Sequence, residues 1–260
     1  MNIIRYNHIL LLIAFIGTSQ LWCGEAAAED ERWVVASVKG GAWKSSDRDP
    51  SVRTAVREGD AVSSSDRLET FQQNEVTLTS DPAGKNIIAV QGAFRMQQTP
   101  GVTRVQLERG RALAVLDGLK GQGDFSVVTP TGVAAVRGTR FGVDAPYNRM
   151  EVRTYQGEVM VRGNSTGRKH SGGASVSLEK GRKTVLESGT SQAPRAEDIS
   201  VREWKKYREE FQGIRTARKA LKEDGGRWFD ESKEPSRVTW VPSDPASGLD
   251  GSKDGQTIVF

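Results

Sequence analysis

From Arg32 to about Ser191 the apolar residues fall in short runs or alternate by twos. Val34-Val35-Ala36-Ser37-Val38 leads into Gly40-Gly41, and Glu75-Val76-Thr77-Leu78-Thr79 alternates before Asp81-Pro82-Ala83-Gly84. Asn86-Ile87-Ile88-Ala89-Val90 and Arg104-Val105-Gln106-Leu107-Glu108 follow, and Val152–Tyr155 forms a close pair with Glu158–Arg162. Runs of this length, bounded by Gly, Pro, Asn and Ser and lacking helical periodicity, predict β-strands. Asp47 to Pro50 and Asp81 to Gly84 carry turn chemistry, and the alternating acidic ligands of a calcium loop are missing from both.

A loose repeat runs through this region. Val105-Gln106-Leu107-Glu108-Arg109-Gly110-Arg111-Ala112-Leu113 resembles the stretch from Val152 through Gly157 to Met160 and that from Val176 through Gly181 to Thr184. Val56 to Val62, around Gly59, is a shorter version. Each places a glycine after a polar residue between two strand-like stretches, as a tight turn or bulge requires. The expected architecture is all-β, either a two-layer sandwich or a short solenoid-like stack of strand–Gly–strand units.

The period changes at Ala196. Ser200 followed by Glu203 matches a capping box. Val201, Trp204, Tyr207, Phe211, Ile214 and Leu221 then recur at helical spacing among Lys, Arg and Glu, up to Gly225-Gly226. One amphipathic α-helix over 200–223 is predicted, its aromatic stripe packed on the β-domain; a membrane surface or a partner is the alternative place for a basic amphipathic helix. From 226 to 260 the chain is rich in Pro, Ser, Asp and Gly and reads as a mostly disordered tail.

Composition adds compartment. Arg5, the apolar core Ile9–Ile16 and the Ala26-Ala27-Ala28 cleavage site have the layout of a signal peptide over 1–28. The apolar core falls well short of the roughly 20 residues a bilayer span needs, and no later stretch comes closer, so the mature chain has no transmembrane segment. Export to the periplasm or cell surface of a bacterium is expected. Cys23 is the only cysteine among the 260 residues; with bulky Leu21 and Trp22 before it, it makes a poor lipidation site. Cleavage after Ala28 removes it, leaving no thiol for disulfides or thiolate metal sites. The formal net charge of +4 is mild and interspersed. It permits attraction to an anionic envelope polymer and gives little support to nucleic-acid binding.

The search for chemistry returns little. The two histidines are His8, in the signal peptide, and His170, in the polar loop Gly167–Gly173, so neither a Cys/His metal site nor a Ser-His-Asp triad assembles. No phosphate loop or dinucleotide fingerprint is present, and no cofactor is indicated. The expectation is a protein that is not an enzyme.

The most distinctive stretch runs from Phe125 to Phe141: F-S-V-V-T-P-T-G-V-A-A-V-R-G-T-R-F. Thr129-Pro130-Thr131-Gly132 reads as a turn between two core strands, with Pro fixing φ and Gly permitting the reversal. Gly138-Thr139 reads as a second bend that returns Phe141 to the core. Arg137 and Arg140, flanking the Gly-Thr pair, are the candidate binding residues: two guanidiniums beside a glycine can take a phosphate, a carboxylate or a sugar acid. They can equally pair with carboxylates or cover apolar surface.

The block resembles the signature of the FecR-like domain family, which reads approximately f-x-v-x-T-P-x-G-x-x-x-V-x-G-T-x-F. Glu58-Gly59-Asp60 and Asp66-Arg67-Leu68-Glu69-Thr70 are similar to the family's G-D-x-(I/L)-x-T element. Val152 to Val159 is similar to its V-x-V-x-x-G-x-V hairpin, and Leu178 to Gly181 to its closing L-x-x-G. The resemblance covers Trp33 to Leu186. It implies an exported all-β interaction module without catalysis over 32–191, whose relatives touch an outer-membrane receptor and control a sigma factor through a membrane regulator. Those regulators carry a cytoplasmic segment and a spanning helix before the domain, whereas a cleavable signal precedes it here. The expected function is a non-enzymatic envelope protein binding another envelope protein or an anionic glycan. A periplasmic signalling component acting through a separate membrane partner, and a carbohydrate-active enzyme with dispersed carboxylates, are the alternatives.

Overall fold

The computed structural model of the protein describes residues 32–223, apart from 72, 82–83, 100, 118–123, 137, 165–173 and 190–192. The expected signal peptide, the tail from 226 and Arg137 therefore lie outside the described residues. The strands are β1 (Val34–Lys39), β2 (Ala42–Ser46), β3 (Asp49–Ala55), β4 (Asp66–Thr70), β5 (Glu75–Thr79), β6 (Asn86–Thr99), β7 (Val102–Leu116), β8 (Asp124–Val128), β9 (Gly132–Val136) and β10 (Arg140–Ala145). They continue as β11 (Arg149–Gln156), β12 (Glu158–Gly163), β13 (Ser175–Glu179), β14 (Arg182–Glu187) and β15 (Glu197–Asp198), and α1 (Val201–Glu223) follows.

All of these strands join one open sheet, antiparallel except for the parallel β7–β8 pair. The sheet folds over on itself into two layers. One layer runs β3, β2, β4, the second half of β6, the first half of β7, β8, β9, β12, β13. The other runs β1, β5, the first half of β6, the second half of β7, β10, β11, β14, β15. The main core lies between them and takes residues from both, with Phe125 of the first layer meeting Phe141 of the second edge-on at 6.3 Å.

Glycines mark the crease. The chain passes between layers at Gly40-Gly41, Gly138, Gly157 and Gly181, while β6 and β7 bend through Gly92 and Gly110 without interruption. This corrects the reading of Val152–Val159 as a hairpin: β11 pairs with β10 and β14, and β12 with β9 and β13. Gly157, at φ 80°, is a corner that sends the chain to the other layer. A Cβ there would lie 2.7 Å from Thr139 Cγ2 and 3.2 Å from the Gly138 carbonyl oxygen, so successive corners stack directly. The repeat seen in the sequence is thus a repeat of corners and bends along one side of a sandwich.

A bulge at Glu108 shifts the phase of β7. Ala93 pairs with Arg109 and Phe94 with Leu107. Val105 and Leu107 before the bulge, and Ala112, Ala114 and Leu116 after it, consequently all reach the main core. One extra residue keeps both halves of a 15-residue strand facing inward across the crease. Pro50, expected in a turn, lies within β3, an edge strand whose only partner is β2. An edge position tolerates the missing donor.

α1 covers the outer face of the second layer and creates a second core. Phe211, Ile214, Ala217 and Leu221 pack on Ala36, Ile87, Ala89, Leu113, Val115 and Tyr155. Tyr155 stacks on Tyr207 at 3.8 Å and meets Trp204 and Phe211 edge-on. The capping box is formed: the Ser200 amide donates to Glu203 Oε2 at 2.8 Å, and the Glu203 amide donates to Ser200 Oγ at 3.3 Å.

Candidate functional site

Thr129, Pro130, Thr131 and Gly132 close the β8–β9 hairpin at the end of the sandwich. Thr129 is buried, and its Oγ1 accepts from the amides of Thr131 (3.2 Å) and Gly132 (3.1 Å). Asn164 Nδ2 donates to the carbonyls of Thr129 (3.0 Å) and Pro130 (3.1 Å), tying β12 to the turn. Every polar group of this motif named here faces inward to the chain itself. Gly132 has no positive φ; it is required because a Cβ would lie 2.7 Å from both the Arg162 carbonyl and Leu186 Cδ1. Its role is close approach of the layers rather than reversal of the chain. Gly138, at φ 58°, makes the second bend, and Thr139 and Phe141 beyond it are buried.

Arg140 follows the bend and pairs with Asp117 at 3.0 Å. Arg218 of α1 reaches the same carboxylate at 3.6 Å, and the Arg140 guanidinium interacts with the Tyr207 hydroxyl. Burial pushes the Tyr207 phenol up, against the opposing pull of Arg140. The motif arginine is therefore coupled to the helix. Asp117, Tyr207 and Arg218 were not legible as its neighbours, because two of them come from an element nearly 70 residues downstream.

The outer face of the first layer has two contrasting halves. Toward β4, β6 and β7 it is a charge ladder: Arg67 pairs with Glu108 (2.7 Å) and Glu69 (3.2 Å), and Arg95 pairs with Asp47 and Glu108. Hydrogen bonds from Arg67 outweigh desolvation and hold the Glu108 carboxyl below its usual range. Toward β9 and β12 the face is open and mixed, with Val133, Ala135 and Met160 flanked by the exposed Glu158 and Arg162 of β12. Val133, Ala135, Met160, Arg162, Gly163 and Asn164 line a shallow depression, with Met160 45% exposed. The signal for this face was present in the sequence: Val133-Ala134-Ala135-Val136 is apolar at every position, the pattern of a strand buried on both sides. Here only Ala134 and Val136 are buried in the core.

Acid–base chemistry finds no foothold in the most perturbed phenol. Burial pushes Tyr155 up to about 12, so it stays protonated inside the aromatic cluster. Among the described residues no group of three or more His, Cys, Asp or Glu side chains gathers where a metal ion would fit. None of their helices is long and apolar enough to cross a membrane.

The segment from Ala93, just past the Gly92 bend, to Met160 matches the family model described as FecR protein. The matched segment contains the second half of β6, the Thr-Pro-Thr-Gly turn, the Gly138 and Gly157 corners, all of β9 and the start of β12. The match is narrower than the resemblance expected over Trp33 to Leu186, with β1 to β5 and β13 to β15 outside it. Two crystal structures of a candidate anti-sigma factor from Parabacteroides distasonis ATCC 8503 are similar to the chain at 16% identity, with TM-scores of 0.37 and 0.36. The similarity covers 47% and 46% of this chain and 55% and 54% of those. The chain thus spans about half the length of the solved structures it matches. No curated protein matches it.

Proposed function

We propose that the chain is an exported, non-enzymatic protein of the bacterial envelope whose FecR domain docks another envelope protein on the open face of β9 and β12. The single observation carrying this reading is the continuous apolar run in β9, one side of which is left open beside the half-exposed Met160. Natural sheets that face water alternate apolar with polar residues, so the apolar outer side of β9 calls for a cover. In this reading the protein serves a cell-surface signalling pathway through a separate membrane partner, the role suggested by the FecR domain. Arg137, two positions after Ala135 in the sequence, is the proposed partner contact at this face; Arg140, the other arginine of the motif, is held by Asp117 on the opposite layer and lies away from it.

The test is site-specific photocrosslinking in intact envelopes. A photoreactive residue at Met160 is expected to give one discrete protein adduct, and one at Val52, exposed on β3, is expected to give none. The Arg137→Ala variant should lose the adduct while keeping the parent melting temperature. Absence of an adduct at Met160, or the same pattern from both positions, sinks the proposal.

A further inference from the structure

Lys205, Arg208, Gln212, Arg215, Lys219 and Lys222 succeed one another on α1 at intervals of three and four, and all are exposed. That spacing stacks them in one row, about 26 Å long at 1.5 Å per residue. The row holds five cations and no acid. Among the described residues, Lys205, Arg208, Arg215 and Lys222 take part in none of the ion pairs, and Lys219 reaches only Glu223, at 3.7 Å. By contrast, the sheet arginines Arg67, Arg95, Arg111 and Arg153 face carboxylates, and Arg48, Arg57 and Arg104 of the sheet domain, unpaired among the described residues, form no such row. Beside the row, Arg140 and Arg218 share the single carboxylate of Asp117, which leaves a further positive charge in excess at its flank. Neither helix propensity nor packing accounts for a run of like charges, which repel at these spacings.

We propose that this row is a binding surface for a linear anionic polysaccharide, laid along the helix with its carboxylates or phosphates against successive cations. Three features favour a linear polymer over an anionic membrane. The apolar face of α1 is fully engaged on the sheet through Phe211, Ile214, Ala217 and Leu221, so nothing remains to insert between lipids. The row is one residue wide, with Glu209 exposed beside it. The sheet surface along the opposite flank of the helix is charge-paired through Arg111, Asp144, Arg153 and Glu151, so no broad basic plane meets a bilayer. Apart from the turn that Gln212 occupies, successive cations stand about one helical turn apart, about 5.4 Å, comparable to the length of one sugar residue. This surface is separate from the β9–β12 face, so the two readings fail independently.

The experiment measures binding of the full chain to alginate, a linear polyuronate, with dextran as the neutral comparison. Alginate should bind and dextran should not, with affinity falling as salt rises because the contacts release counterions. Lys205→Glu/Arg208→Glu/Arg215→Glu should lower alginate affinity by more than about tenfold, since each cation near an anionic surface contributes a few-fold. Those side chains have no ion-pair partner among the described residues, so the far-UV spectrum and melting temperature should hold. Arg48→Glu/Arg57→Glu/Arg104→Glu removes equal charge from exposed positions on the sheet domain and should leave most of the affinity. Equal losses from both triples would mean net charge alone, and overturn the proposal. So would binding to phosphatidylglycerol vesicles that the helix triple abolishes while alginate fails to bind.

Discussion

The bend in β6 and β7 can be tested by one methyl group. Gly92 and Gly110 face each other in register, at φ 117° and 113°. A Cβ on Gly110 would stand 2.0 Å from the Gln91 carbonyl oxygen and 2.8 Å from Gly92 Cα. Both are backbone atoms of the paired strand and cannot swing aside as a side chain would. Gly110→Ala thus combines a left-handed backbone cost of about 1–2 kcal/mol with an overpacking cost of roughly 1–3 kcal/mol. The expected loss is about 2–5 kcal/mol. With a urea m-value of about 2 kcal/mol/M, that lowers the unfolding midpoint by about 1–2.5 M. Gly101→Ala separates the two costs: its φ is 72° but nothing lies within 4 Å of the added methyl, so only the backbone cost applies. Where conformation is permissive, Gly→Ala stabilises by about 0.4–1 kcal/mol through the unfolded state. A midpoint for Gly110→Ala equal to that of Gly101→Ala, or higher than the parent, would show that the strands do not cross as closely as described.

Two further outcomes follow from the helix. Phe211→Ala, at the centre of the aromatic cluster, should cost about 3–5 kcal/mol and release hydrogen-exchange protection in α1 before that of the sheet; simultaneous loss in both would mean that the helix is not a separable layer. Burial alone would raise the Glu203 carboxyl, but hydrogen bonds from Lys183 and Ser200 bring it from an ordinary 4.5 down to about 2. Because the folded value lies below the unfolded one, its contribution is complete above about pH 4.5 and vanishes as pH falls toward 2. Glu203→Gln should therefore flatten stability against pH in that window, and an unchanged acid limb would count against the cap.

Local signals were readable where a local interaction decides the structure. Ser200 and Glu203 specify a helix start through groups three residues apart, and α1 begins there. The stripe from Trp204 to Leu221 told which face is buried, since no other apolar surface could satisfy it. The apolar runs gave strands, but Asn86–Val90 and Arg104–Glu108 are only parts of β6 and β7. Gly110 read as a tight turn or bulge in the repeat because turns and bends use the same residue; only its cross-strand partner, Gly92, distinguishes them. The layer to which β12 belongs was hidden for the same reason, as Gly157 serves a corner and a hairpin equally well. The Thr-Pro-Thr-Gly block announced the fold more than a site, which agrees with its hydrogen bonds being spent on the chain itself. The face of β9 was written openly in four apolar residues, yet an apolar strand does not say which of its sides lacks a neighbour. The helix row of cations was visible as composition, and it gained meaning only when Glu203 and Glu210 were found turned toward the sheet at Lys183 and Arg111.

The glycine crease has a mechanical consequence. Because β6 and β7 run unbroken through both layers, neither layer can slide or swing relative to the other without breaking backbone hydrogen bonds in both. The Gly138 and Gly157 corners join β9 and β12 directly to β10 and β11, and Tyr155 of β11 stacks on Tyr207 of α1. Under the docking proposed above, a load placed on β9 and β12 would therefore reach the helix through backbone and stacked rings, and would travel as a change of position rather than of shape.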